Sequence, residues 1–208
     1  MGALVARRLG YRFVDTGVMY RAITLAALER KLDLEDEAAL SGLARSVAIT
    51  LEPGPSEAPE ASRVLVDGVD VTDRLRSTEV GAAVSLVSRV AAVREAMVEQ
   101  QRRLAREGGL VMAGRDIGTV VLPDAPVKVY LDASQEERIR RRHDELAAGG
   151  REVPLAAVRE ELAQRDAIDS ARSVSPLRPA ADAVVLDTDH LSLDEVVERI
   201  LVLLPCGS

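Results

Sequence analysis

The segment Gly114–Thr119 (GRDIGT) has the composition of a binding loop, with Arg115 and Asp116 held between two glycines. It directly follows Leu110–Ala113 (LVMA), an apolar run typical of a buried strand. Ligands of open α/β sheets bind at the carboxyl ends of such strands. We therefore predict a ligand site here. A salt bridge between loop neighbours is the alternative interpretation.

A second segment at the end of a predicted strand is Asp15–Arg21 (DTGVMYR). Thr16 is predicted to cap the helix that follows, whose N-terminus would favour anions. Arg21 would lie about one turn inside that helix. By itself the segment is weak evidence for a ligand site, and capping is the simpler interpretation of Thr16.

Three arginines, Arg138, Arg141 and Arg142, share one face of a predicted helix. Like charges on one face repel each other unless an anion binds or water surrounds them well. Arginine's planar fork binds phosphate and carboxylate through two hydrogen bonds, so the cluster could bind phosphate.

A second charged set, Arg165, Asp169 and Arg172, also shares a helix face. Because the aspartate could pair with both arginines, an ordinary surface network explains it equally well. Gly149–Gly150 separates the two sets, an arrangement that suits a mobile flap closing over a phosphate chain.

Ser85 and Arg94 stand nine residues apart on a predicted helix, which places them half a revolution out of phase. They could contact one ligand only if the helix breaks between them.

The composition excludes several classes of protein. The formal net charge of −7 argues against nonspecific nucleic-acid binding, and scarce aromatic residues argue against a stacking platform for single strands. No apolar run reaches the length of a membrane span, and the single cysteine, Cys206, leaves no disulfide framework. We expect a cytoplasmic protein that binds neither nucleic acid nor a membrane.

These residues need elements that position them, and the hydrophobic pattern predicts strands alternating with helices around a parallel sheet. The predicted helices are Gly2–Gly10, Val18–Lys31, Leu34–Ser46, Thr78–Glu107 and Leu191–Leu204. The predicted strands of the sheet are Tyr11–Asp15, Leu110–Ala113, Val127–Leu131 and Ala183–Leu186. Between them, Val47–Leu51, Arg63–Asp67 and Val69–Val71 predict a small β insertion with a hairpin at Asp67-Gly68. An arginine-rich helical pair starts at a capping box of Ser134 and Glu137, and Pro154 opens its second helix.

Together these stretches resemble the bacterial cytidylate kinases over nearly the whole chain. The motifs that carry the resemblance are DTGVMYR, SLVSRVAAVR, GRDIGT followed by VVLPDAPVKVYLDAS, EERIRRR and QRDAIDSAR. The resemblance implies an α/β fold of the P-loop nucleoside monophosphate kinase type, with flanking helices, a small antiparallel β insertion and a helical lid. It implies one kinase domain, with its core at 1–46, 74–137 and 173–208, the insertion at about 47–73 and the lid at about 138–172.

The resemblance also assigns roles to the candidate residues. Ser85, Arg94 and Asp116 would contact cytosine, with Asp116 accepting from the exocyclic amine and so discriminating against uracil. The residues that would hold the CMP phosphate are Thr16, Arg21, Arg115 and Arg172. Arg165 and Asp169 would reach the sugar and phosphate. Arg138, Arg141 and Arg142 match the lid, and the last two would neutralise ATP phosphates and transition-state charge.

The reaction implied is transfer of the ATP γ-phosphoryl group to CMP or dCMP by a monomer, with Mg²⁺ accompanying ATP. The CMP phosphate is already an anionic nucleophile, so alignment and charge neutralisation would supply the catalysis.

One family feature is missing from these 208 residues, since the pattern G-x-x-x-x-G-K-[ST] occurs nowhere in them. We expect an N-terminally truncated chain that lacks the P-loop and the central first strand, and is inactive for that reason. The alternative is a noncatalytic CMP-binding module that has lost ATP chemistry. A kinase for another small acceptor fits Ser85, Arg94 and Asp116 less well.

Overall fold

The computed structural model describes residues 1–52, 63–170 and 178–204, with the backbone alone at 165 and 168–170. The helices are α1 Gly2–Leu9, α2 Thr16–Glu29, α3 Glu37–Ser46, α4 Thr78–Arg89, α5 Ala91–Ala105, α6 Gln135–Ala148, α7 Leu155–Ser170 and α8 Leu193–Val202. The strands are β1 Arg12–Asp15, β2 Ile49–Glu52, β3 Arg63–Val66, β4 Val69–Asp70, β5 Leu110–Ala113, β6 Val129–Asp132 and β7 Val184–Asp187. Within these ranges, none of the helices is both long and apolar enough to cross a bilayer.

Parallel pairing brings β1 beside β5 and β6 beside β7. In the first pair Asp15 lies opposite Ala113, so both strands end at the same edge. In the second pair Asp132 lies opposite Asp187. No ladder joins the two pairs in the described ranges, so these residues do not form the single parallel sheet that the pattern predicts.

The second pair carries apolar side chains that water still reaches. Leu131, Val184 and Val185 are 43%, 44% and 55% exposed. Parallel strands are normally covered on both faces, so this pair is less covered than its residue types lead one to expect.

The β insertion confirms the predicted hairpin. β2, β3 and β4 form an antiparallel sheet, and Asp67 and Gly68 both have positive φ, as a type I′ turn requires. The Asp67 carboxylate accepts from the Ala48 amide at 3.0 Å, which fastens the turn to the start of β2.

The long helix predicted from Thr78 to Glu107 is two helices, because Val90 has extended backbone (φ −68°, ψ 119°) between α4 and α5. Val90 is buried and its amide still donates to the Val87 carbonyl at 3.3 Å. This break meets the condition under which Ser85 and Arg94 could face one ligand. The main hydrophobic core lies where α2 packs on α4 and α3 packs on α5.

Two predicted caps differ in the structure. Asp15, not Thr16, caps α2: its carboxylate accepts from the Gly17 amide at 2.8 Å, and helical geometry starts at Thr16. Ser134 does cap α6, but its own amide donates to Asp189 at 2.9 Å. The Glu137 carboxylate binds arginines instead, so the reciprocal half of the predicted box is not formed.

Candidate functional site

The ends of β1 and β5 meet at the first part of the site. The buried Thr16 hydroxyl donates to the Ala113 carbonyl at 3.0 Å, which joins the two strand ends directly. Gly114 follows at such close range that a Cβ there would lie 2.3 Å from Thr16 Oγ1 and 2.7 Å from Ile117 Cδ1. Glycine is therefore required at 114 for this approach.

Arg94 and Asp116 form a buried ion pair at this edge. Arg94 Nη2 donates to Asp116 Oδ2, and the two side chains are only 4% and 5% exposed. Arg94 Nη1 also donates to the Ser88 carbonyl at 3.4 Å, and the guanidinium lies 5.3 Å from the centre of the Tyr20 ring. Arg94 Nε has no hydrogen-bond partner among the residues described.

This pair has the right chemistry for a neutral, polar, planar ligand. A carboxylate offers about four acceptor positions, so Asp116 can hold Arg94 and still accept from an amine. Each charge neutralises the other, which offsets the large cost of burying either one alone. The pair thus holds a hydrogen-bond acceptor and a donor in a buried position just after the end of β5.

The remaining base and phosphate candidates lie on α2, on α4 and in the loop after β5. Arg21, one turn inside α2, donates to the Leu75 carbonyl at 3.3 Å, in the 3₁₀ segment Thr72–Arg76 that follows the insertion. Arg115 is half-buried between Gly114 and Asp116, and Ser85 is half-buried on α4. Thr16 is joined to the end of β5 by its hydrogen bond to the Ala113 carbonyl.

The three arginines that match the lid have carboxylate partners on their own helix or on α7. Arg138 Nη1 lies 2.6 Å from Asp166, and Arg142 Nη1 lies 2.8 Å from Glu145. Arg141 Nε donates to Glu137 at 2.7 Å. The like-charge repulsion expected on this face is therefore relieved by acidic neighbours without a bound anion.

Arg141 also anchors α6 to the second strand pair. Its Nη1 and Nη2 donate to the Thr188 hydroxyl at 3.0 Å and the Thr188 carbonyl at 2.6 Å. Thr188 is buried and its hydroxyl donates to the Asp132 carbonyl at 2.8 Å, which ties the ends of β6 and β7 together.

Glu137 is the most strongly perturbed carboxylate of this cluster. Hydrogen bonds from Arg140 first, and from Arg141 next, lower the pKa of Glu137 from 4.5 to about 2. The Glu137 carboxylate therefore stays ionised at neutral pH.

Three predicted site residues fall outside this description. Arg165 and Asp169 lie on α7, but their side chains are not among the described ones, and Arg172 lies outside the described residues.

Sequence reasoning missed four residues that support the site. Tyr20 lies under Arg94, the Ser88 carbonyl accepts from Arg94, Thr188 accepts from Arg141, and Arg102 holds the loop after Asp116. Tyr20 lies within the segment already singled out, which was the one available signal. The other three act with or on backbone atoms, and no spacing of residue types reveals such contacts.

No cluster of three or more His, Cys, Asp or Glu side chains that could hold a metal ion occurs in the part of the chain that the structure describes. The described residues therefore form no carboxylate cage for Mg²⁺. In enzymes that act on nucleotides, Mg²⁺ is usually bound through the substrate phosphates and one or two carboxylates.

Comparison with known proteins identifies the family. A model of the family described as cytidylate kinase matches residues 1–205. A cytidylate kinase from Desulfitobacterium hafniense is 51% identical over 96% of this chain and 84% of its own length. Those from Geobacillus kaustophilus and Pelotomaculum thermopropionicum are 53% and 48% identical, over 95% and 98% of this chain and 86% and 89% of their own lengths. The chain therefore belongs to the cytidylate kinase family, a family of phosphotransferases.

Proposed function

We propose that this chain binds CMP or dCMP as phosphoryl acceptor and that ATP is the donor. The observation that carries the proposal is the buried Arg94–Asp116 pair at the end of β5. An amine on the ligand can donate to Asp116, whereas a carbonyl at the same position would be repelled. That difference separates cytosine from uracil.

The acceptor phosphate would lie beside the base, at the ends of β1 and β5. Thr16, Arg21 and Arg115 are the described candidates to hold it, and the positive end of α2 starts at Thr16. The family resemblance adds Arg172 for the phosphate, and Arg165 and Asp169 for the sugar and phosphate. Held in this way, the phosphate oxygen is aligned for in-line attack on the donor.

The lid arginines would neutralise the charge that builds up on the transferring group. Arg138 and Arg142 would exchange their present carboxylate partners for phosphate oxygens when ATP binds. Arg141 is held by Thr188 as well as Glu137, so we assign it a supporting role in addition to charge neutralisation. We expect Mg²⁺ to reach the site as the companion of ATP, because it commonly binds through substrate phosphates.

The central first strand and the phosphate-binding loop that the resemblance implies are also part of this proposal. One observation supports an added strand between β5 and β6. Each of these strands has a partner on one side only among the described residues. We propose that these 208 residues bind CMP but transfer phosphate efficiently only when a G-x-x-x-x-G-K-[ST] loop is supplied. The noncatalytic CMP-binding module is the second candidate.

Calorimetric titration of the chain with CMP, UMP and AMP tests the acceptor assignment. We expect CMP to bind at least about tenfold more tightly than UMP, since a site built for an amine leaves its acceptor unpaired with a carbonyl. Asp116→Asn, which can also donate, should reduce that preference. Asp144→Asn, an exposed carboxylate on α6, is the matched control and should keep it. Equal affinity of the unaltered chain for CMP and UMP would refute the assignment.

A further inference from the structure

The chain from Asp116 to Val121 forms one tight turn of unusual geometry. The Val121 amide donates to the Asp116 carbonyl at 3.2 Å and the Leu122 amide to the Ile117 carbonyl at 2.7 Å, the five-residue spacing of a π-helical turn. Such turns are rare and are frequently found at functional sites. Here the turn starts at Asp116, the residue that selects the base in the proposed function.

The far end of this turn is held by Arg102. Arg102 Nη2 donates to the Val120 carbonyl at 2.7 Å and its Nε donates to the Val121 carbonyl at 2.9 Å. Carbonyls at the end of a helical turn lack partners within the turn and carry partial negative charge, so a guanidinium satisfies both needs. The buried Val121 side chain fixes the same end by packing.

One helix thus holds both ends of the turn. Arg94, in the first turn of α5, binds the Asp116 carboxylate, and Arg102, in its last turn, binds the final carbonyls. Eight residues of α helix separate the two arginines by about 12 Å along the axis. The amides of Val120 and Val121 donate back to the Asp116 carbonyl, so the backbone held by Arg102 is hydrogen-bonded to the residue held by Arg94.

We propose that Arg102 is a positioning residue that sets the orientation of Asp116 and thereby the preference for cytosine over uracil. This inference rests on the proposed function of Asp116. Arg102 would not contact the nucleotide; it acts through the turn. Its removal frees the far end of the turn, and the Asp116 carboxylate then has more than one orientation toward the base.

Arg102→Met tests this inference, since it removes both donors and keeps an unbranched apolar stem. We expect the CMP affinity of the chain to fall about tenfold, the size of one lost hydrogen bond from a charged donor, while UMP affinity falls less. The CMP to UMP affinity ratio therefore falls. Arg102→Lys should give an intermediate ratio, because one ammonium cannot reproduce the fork that spans two carbonyls.

Arg103→Met is the matched control. Arg103 is in the same helix turn and is 61% exposed, and its pair with Glu99 is 3.4 Å long. It should keep the ratio of the unaltered chain. Urea unfolding of every variant separates stability from selectivity.

The outcomes separate this inference from the proposed function. An unchanged ratio in Arg102→Met, or an equal loss for both nucleotides, overturns the positioning role. If only Arg102→Lys folds, an unaltered ratio in that variant overturns it. If Asp116→Asn also leaves the ratio unaltered, the proposed function itself fails; if Asp116→Asn changes it and Arg102→Met does not, only the role of Arg102 fails.

Discussion

The Arg94–Asp116 pair shows how burial turns two ordinary side chains into a site. Each is within about 5% of complete burial, where a lone charge would be very costly. Their attraction offsets that cost, and Ser88 and Tyr20 add a hydrogen bond and a ring contact to the guanidinium. The same two charges on the surface would be screened by water and would orient nothing.

Removing one member of this pair should be far more damaging than removing both. Arg94→Met leaves a buried carboxylate without its partner, and we expect the free energy of unfolding to fall by about 3–5 kcal/mol. Arg94→Met with Asp116→Asn should recover most of that loss. Urea unfolding of both variants measures it.

Arg89→Met is the control, because Arg89 forms an exposed pair with Glu35. This substitution should lower the free energy of unfolding by about 1 kcal/mol or less. A double variant no more stable than the single one would contradict the explanation.

Elements that depend on local chemistry could be predicted from the sequence, and those that depend on distant contacts could not. The Asp67-Gly68 turn and the strand Leu110–Ala113 follow from turn propensity and apolar runs. No glycine or proline in the sequence indicates the break at Val90. The break separates α4, which packs on α2, from α5, which packs on α3. The α2 cap was assigned to the wrong residue because Asp15 and Thr16 are both good cap formers, and Thr16 instead bonds to Ala113 on another strand.

At the start of α6, the pairing of Glu137 predicts a pH dependence. Its pKa is lowered in the folded state from 4.5 to about 2, so its stabilising effect is complete above pH 4.5 and is lost as the pH falls toward 2. The difference in unfolding free energy between the unaltered chain and Glu137→Gln should be constant from pH 7 to 5 and shrink below 4.5. Urea unfolding between pH 3 and 7 measures this difference.

Glu136→Gln, on the same turn, is the control. Its side chain is 73% exposed and lies 3.7 Å from Arg159, so the substitution should change stability little. A Glu137→Gln effect that does not vary with pH would show that the arginine bonds do not stabilise the helix.

At the scale of the whole molecule, the two strand pairs position different groups of candidate residues. The β1–β5 pair carries the proposed acceptor residues, and the β6–β7 pair carries the attachment of the arginine-bearing helix. The strand-helix alternation predicted the four strands of these pairs, because it depends on hydrophobic period alone. The way the pairs combine into a sheet depends on backbone hydrogen bonds between distant segments, which no local pattern encodes.

A chimera tests whether an added strand and loop raise the rate of phosphoryl transfer. It would carry an apolar strand and a G-x-x-x-x-G-K-[ST] loop ahead of Met1. With CMP, ATP and Mg²⁺, we expect ADP formation by the chimera at least about a hundredfold faster than by the 208 residues alone, since such a loop holds the donor phosphates. A loop with its lysine replaced by alanine is the control. Equal rates for chain and chimera would contradict the proposal, and CMP binding without turnover in the chimera would favour the noncatalytic module.

The bonds from Arg141 to Thr188 limit how the arginine-bearing region can travel. Because they fasten the middle of α6 to the end of β7, this helix cannot swing outward as one rigid arm. Any hinge must lie farther along, where Gly149 and Gly150, the latter with φ +72°, connect α6 to α7. The proposed lid would then close by movement of α7 about this connection, with α6 held in place.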